Sequence, residues 1–187
     1  RTYYQASALL KAAEAAPAGS EREATVRQAV SMLLRVPLVV HLESLTSQLA
    51  NLKHYEGIVT VPLAAAAARD PEGLALRPEM GPACEMARQR RREAYGHIFA
   101  ALRAVLGGGG EGGAGGSAAA LTTAERTAFK SALLKAALAS SDRFFMDELY
   151  GFLIGFGAAE ELLSREAPGL EEYLVREGGL LPAVASS

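Results

Sequence analysis

Along most of this 187-residue chain, apolar residues recur at steps of three and four, the period of a helix with one buried face. Tyr3, Tyr4, Ala6, Leu9, Leu10 and Ala13 set that pattern over residues 1–16, which run out at Ala-Pro-Ala-Gly. Ser20 and Glu23 then have the spacing of a capping box, in which the serine satisfies a free helix N–H and the glutamate reaches back. The helix after them turns Val26, Ala29, Val30, Leu33 and Leu34 inward. Pro37 closes it and is suited to open the next. Leu38, Leu42, Leu45, Leu49 and Leu52 follow as a row at alternating steps of four and three, which strand alternation cannot produce.

The stretch from Leu52 to Leu74, LKHYEGIVTVPLAAAAARDPEGL, mixes its signals. IVTVPL resembles a strand, whereas five consecutive alanines favour a helix. Tyr55, Ile58, Val59 and Leu63 keep helical spacing, which predicts a single helix from Leu52 to Arg69 that Asp70-Pro71 ends. Gly57 lets a neighbouring helix come close. Pro62 is expected to bend the helix and to leave the Ile58 carbonyl without its usual donor. Residues 71–82 hold three prolines and two glycines and predict a loop.

A long helix is predicted from Pro82 to Leu106, with Ala87, Tyr95, Ile98, Phe99, Leu102 and Val105 on one side and Arg88, Arg90, Arg91 and Arg92 near its start. GGGGEGGAGGSAAA, residues 107–120, follows as a linker. Thr122 and Glu125 form a second capping box before a helix carrying Phe129, Leu133, Ala136 and Ala137. Ser140-Ser141-Asp142 breaks that helix and caps another, with Phe145, Leu149, Phe152, Leu153 and Phe156. Shorter helices over 158–165 and 170–176 are separated by Pro168-Gly169 and stopped by Gly178-Gly179. About nine helices in succession, each with one apolar face, predict an all-α protein. The expected architecture is an irregular α-solenoid of antiparallel hairpins, with a compact helical bundle as the alternative. The expected organisation is a first helical half over 1–106, the glycine-rich linker over 107–120, a second half over 121–179 and a frayed tail over 180–187.

Composition narrows the chemistry. Half the residues are hydrophobic, aromatics are 6% and tryptophan is absent, which suits closely packed helices better than a β-sandwich. A net charge of −2 gives no global pull toward nucleic acid. One cysteine, Cys84, excludes an internal disulfide framework and fits a reducing compartment. No signal peptide is apparent, and a start at Arg1 rather than Met fits a fragment of a longer protein. The glycine run lacks the Lys-Ser/Thr of a phosphate loop and follows a helix rather than a strand. His41, His54 and His97 lack zinc-ligand spacing to one another or to Cys84. Neither catalytic nor cofactor- or metal-binding residues are expected, and an enzyme built around Cys84, His97 or the glycine run would require a cleft with converging polar groups. Arg88, Arg90, Arg91 and Arg92 read as a solvated face pairing with Glu85 and Glu93, or as a surface meeting an acidic partner.

Tyr55-Glu56-Gly57-Ile58-Val59, the alanine stretch and Asp70-Pro71-Glu72-Gly73-Leu74, in that order, resemble the nucleoporin-155/170 family of inner-ring scaffold nucleoporins. A second block around Leu149, Tyr150 and Leu153 is similar to a later helix of that family, continuing through Glu160-Glu161-Leu162-Leu163 to Leu174-Val175-Arg176. The resemblance implies a middle piece of the family's C-terminal α-solenoid, with these residues packing rather than reacting. It further implies a structural, non-enzymatic role without cofactors in the inner ring of the nuclear pore complex, supporting nucleocytoplasmic transport. Expected partners are neighbouring scaffold nucleoporins and linear segments of linker nucleoporins, with no direct contact of this segment to nucleic acid or membrane. A helical adaptor or coat solenoid of another trafficking assembly is the alternative.

Overall fold

A computed structural model describes residues 1–107 and 122–178. Among them are nine α-helices: α1 (Thr2–Ala15), α2 (Ser20–Leu33), α3 (Leu42–Asn51), α4 (Tyr55–Ala68), α5 (Pro82–Leu106), α6 (Thr123–Leu138), α7 (Arg143–Gly155), α8 (Ala159–Leu163) and α9 (Leu170–Gly178). Two single turns of 3-10 helix, Pro37–Val39 and Leu74–Leu76, interrupt the series. No strand occurs among the described residues. The expected linker over 107–120 and the tail over 180–187 lie almost wholly outside them. The chain forms two compact units, Arg1–Ala139 and Ser140–Ser187. The break falls after Ala139, so α6 belongs with the helices that precede the glycine-rich segment.

In the first unit α1 and α2 pack along each other across a four-residue connection, burying Ala6, Leu10 and Ala13 against Val26, Ala29, Val30 and Leu33. The hub is α4, which packs on α2, α3, α5, α6 and the Pro37–Val39 turn. Ile58, Val59, Val61, Ala65 and Ala66 of α4 are wholly buried, and Pro62 is buried within it. A helix enclosed on nearly every side is apolar nearly all round, which is why IVTVPL reads locally as a strand. The small residues of α4 let its neighbours approach. A methyl group at Gly57 would lie 2.8 Å from His54 Nδ1, 3.0 Å from a Leu49 methyl and 3.2 Å from a Val30 methyl.

Several local expectations change. α4 begins at Tyr55, not Leu52, because Lys53 adopts a left-handed conformation (φ 57°) that ends α3 and reverses the chain. Pro37 opens only the short 3-10 turn, and Leu38 sits there 63% exposed, outside the leucine row that α3 buries with Leu42, Leu45 and Leu49. Ser20 is already the first helical residue of α2. Gly19 therefore occupies the cap position, and the expected Ser20–Glu23 box does not form. The Thr122–Glu125 box does form: Glu125 N–H donates to Thr122 Oγ1 at 3.2 Å and Thr122 N–H to Glu125 Oε2 at 3.0 Å.

The second unit packs α7 with α8 and α9. Asp142 caps α7 by accepting from Phe145 N–H at 3.1 Å, and Phe145, Met146, Leu149, Tyr150 and Leu153 are buried. Phe152 is half-buried and Phe156 38% exposed; they stack with ring centres 5.7 Å apart instead of filling the core as their spacing suggests. α8 is shorter than expected, spanning Ala159–Leu163.

Candidate functional site

The Asp70-Pro71-Glu72-Gly73-Leu74 exit of α4 is a built device. Gly73 takes a left-handed conformation (φ 64°) that favours glycine, and this folds the chain back over Asp70. The Asp70 carboxylate then accepts from Leu74 N–H at 2.8 Å through Oδ1 and from Ala75 N–H at 3.1 Å through Oδ2. Arg91 Nε, from α5, donates to the same Oδ2 at 2.9 Å. The two side chains are 1% and 5% exposed, so the pair is desolvated and its charge is met by hydrogen bonds. One helical turn earlier, Arg88 donates to the Arg77 carbonyl at 2.7 Å and the Glu79 carbonyl at 3.2 Å. Two arginines at a spacing of three thus clasp the loop that joins α4 to α5.

The four arginines are therefore not one solvated face. Arg91 is buried on Asp70, and Arg88 is turned onto loop carbonyls with its side chain 12% exposed. Both are turned toward the loop and Asp70 rather than outward as a solvated face. Arg92 pairs with Glu85 at 3.0 Å, and Arg90 is exposed, so these two alone keep the surface position expected of the cluster. Glu93 pairs with Arg69, the residue that caps the C-terminal end of α4. Sequence alone hides the Asp70–Arg91 pair because 21 residues separate the partners.

At the other end of α4, His54 caps the helix by accepting from Gly57 N–H through Nδ1 at 3.2 Å. Burial pushes its imidazole below the ordinary value, with Glu56 pulling the other way and Arg27 adding to the drop, which favours the neutral, accepting ring. Tyr55 stacks on Phe129 of α6, ring centres 4.2 Å apart and planes inclined 20°. Beside them Lys53 Nζ donates to Glu125 Oε1 at 2.9 Å. That bond, with those from Thr122, holds the Glu125 carboxyl down to about 2. The stack and the ion pair register α6 on the α3–α4 junction from 72 residues away.

Glu56 is exposed, whereas Gly57, Ile58 and Val59 are buried. In the second unit Leu149 and Leu153 are buried, and the Tyr150 hydroxyl donates to the Pro168 carbonyl, fixing the turn into α9. Tyr173 lies edge-on to Tyr150 at 5.4 Å, over Gly151, where a methyl would meet the Tyr173 hydroxyl at 3.3 Å.

Cys84 is buried near the start of α5. Among the described residues no group of three or more His, Cys, Asp or Glu is placed to hold a metal, and no helix is long and apolar enough to cross a membrane. A groove of about 310 Å³ runs between α1 and α3, with Leu10, Leu33 and Leu45 in its floor and Lys11, His41 and Gln48 on its rim.

This geometry packs helices, and comparison with known proteins gives it a family. Residues 1–183 match a profile described as the non-repetitive/WGA-negative nucleoporin C-terminal. The chain belongs to that nucleoporin family. It is all-helical and similar in fold to the C-terminal domain of Chaetomium thermophilum Nup170, solved as a methionine-substituted variant, with a TM-score of 0.69 and 21% identity. The match covers 94% of this chain and 32% of that one, so the chain spans about a third of the Nup170 domain. The nucleoporin profile gives the family and the Nup170 likeness gives the fold, and both are in line with the resemblance read from the sequence.

Proposed function

We propose that this nucleoporin segment acts as a rigid stretch of an inner-ring scaffold, binding neighbouring scaffold nucleoporins and linear segments of linker nucleoporins without catalysing a reaction. The observation that carries the reading is the nucleoporin match over residues 1–183. Supporting it, the Tyr55–Val59 and Asp70–Leu74 blocks supply a stack, a close approach and a buried ion pair. We assign them, with Leu149, Tyr150 and Leu153, to packing. The α1–α3 groove has the apolar floor and polar rim that accommodate an extended segment.

The test is a pull-down of the folded chain with fragments of inner-ring scaffold and linker nucleoporins, together with localisation of the full-length protein. Retention of at least one fragment and a punctate nuclear rim are expected. A folded chain that retains none across a full panel, or a vesicular distribution, would count against the reading.

A further inference from the structure

His54 supplies an acceptor that α4 itself does not. Gly57 is the third residue of that helix, so its N–H is one of the first four and has no carbonyl of the helix to reach. It donates instead to His54 Nδ1 at 3.2 Å. The backbone beneath the ring is fixed: the His54 N–H donates to the Leu49 carbonyl at 2.9 Å, and Lys53 before it is left-handed. Only a neutral imidazole can accept in this place. A proton on Nδ1 turns the acceptor into a donor facing a donor, and sets a positive charge on the positive end of the α4 dipole.

The surroundings add to that penalty. Burial lowers the imidazole below its ordinary value, Glu56 of α4 opposes the drop and Arg27 of α2 deepens it. Beside the ring, Lys53 and Glu125 of α6 hold each other at 2.9 Å. Among the described residues no charged group of α3 or α5 acts on it. The docking of α6 hangs on this turn, because Tyr55, the first residue of α4, is the one that stacks on Phe129. The Glu125 carboxyl is held down to about 2, so the Lys53–Glu125 pair stays charged throughout the range in which imidazoles titrate and is not itself the sensor.

We propose that His54 is a proton-sensitive latch: neutral, it closes the first turn of α4 and keeps Tyr55 on Phe129; protonated, it opens that turn and loosens α6 from the α3–α4 junction. The device goes beyond the scaffold reading and does not rest on it. Because the folded chain binds this proton less readily than the unfolded chain, the stability the cap contributes is fully present above the ordinary imidazole value of about 6.5. It is lost as pH falls from there toward the folded value. The test follows the 187-residue chain by NMR from about pH 7.5 to about pH 5. Exchange of the Gly57 amide, corrected for its intrinsic pH dependence, is expected to quicken by about threefold to thirtyfold, the range of a lost cap, in step with protonation of the His54 ring. Ring-proton shifts of Tyr55 and Phe129 are expected to move in the same transition. His54→Asn and His54→Ser, caps that accept without titrating, are each expected to flatten these changes. His97→Gln is expected to keep them, although burial lowers that imidazole too, with Glu43 opposing and Arg69 and His41 adding to the drop. Where neither cap variant folds, the unsubstituted chain carries the test by itself, since the Gly57 and His54 midpoints must coincide. Gly57 exchange that is equal at both ends of the range, midpoints that differ, a transition that survives in a folded cap variant, or one that His97→Gln removes would overturn the proposal.

Discussion

Asp70–Arg91 in the first unit and Arg143–Glu172 in the second are the same chemistry at nearly the same distance, 2.9 and 3.1 Å. They differ in surroundings: 1% and 5% side-chain exposure for the first, 76% and 78% for the second. Water and salt screen the exposed pair, so holding two long side chains together gains little. The buried pair has no such screening, and each partner depends on the other for its charge to be tolerated. Asp70 also accepts two backbone N–H groups, so losing it orphans donors on the loop as well as removing the acceptor of Arg91 Nε. The comparison teaches that the first unit adds a desolvated ion pair to its apolar core, whereas in the second, packed around Tyr150, the Arg143–Glu172 pair lies at the surface.

The largest effect is expected from Asp70→Ala, which removes the buried carboxylate that Arg91 Nε and two loop N–H groups bond and should destabilise the first unit by about 3–5 kcal/mol in denaturant unfolding. Next comes Gly57→Ala. Alanine is the better helix former by about 1 kcal/mol, yet its methyl would press on His54 Nδ1, Leu49 and Val30. A net loss of about 1–3 kcal/mol is expected, and a gain would mean that the close approach relaxes. Tyr150→Phe removes the bond to the Pro168 carbonyl and should cost about 1 kcal/mol, read in the second unit by hydrogen exchange of α9 amides. Arg143→Ala should change stability by less than about 1 kcal/mol, the range of exposed pairs. Similar costs for Arg143→Ala and Asp70→Ala would erase the contrast between the two regions.

Much of this organisation is legible in the sequence where the signal is local. Pro82 at a first helical turn and Gly107 after Leu106 bound α5 as observed, and Thr122, Glu125 and Asp142 announce their caps. Local signals misled where the chain chose between near-equivalent arrangements. Ser20 was absorbed into α2, and a left-handed Lys53, a conformation uncommon for lysine, split the Leu52–Arg69 stretch. What stayed hidden is tertiary. Nothing near Arg91 separates it from Arg90 or Arg92 until the fold brings Asp70 to its guanidinium, and nothing near Tyr55 names Phe129 as its partner. The Asp-Pro-x-Gly-Leu motif was visible as a family resemblance, but its reason, a carboxylate held under a left-handed glycine turn, required the fold.

The central claim is that this motif acts by packing through the Asp70–Arg91 pair, and a double-mutant cycle of Asp70→Ala, Arg91→Met and the combination tests it most directly. Each single variant should be strongly destabilised, and the double variant should lose at least about 1 kcal/mol less than the two losses added together. Losses that add to within about 0.5 kcal/mol would show that the two residues act independently, and would contradict the account.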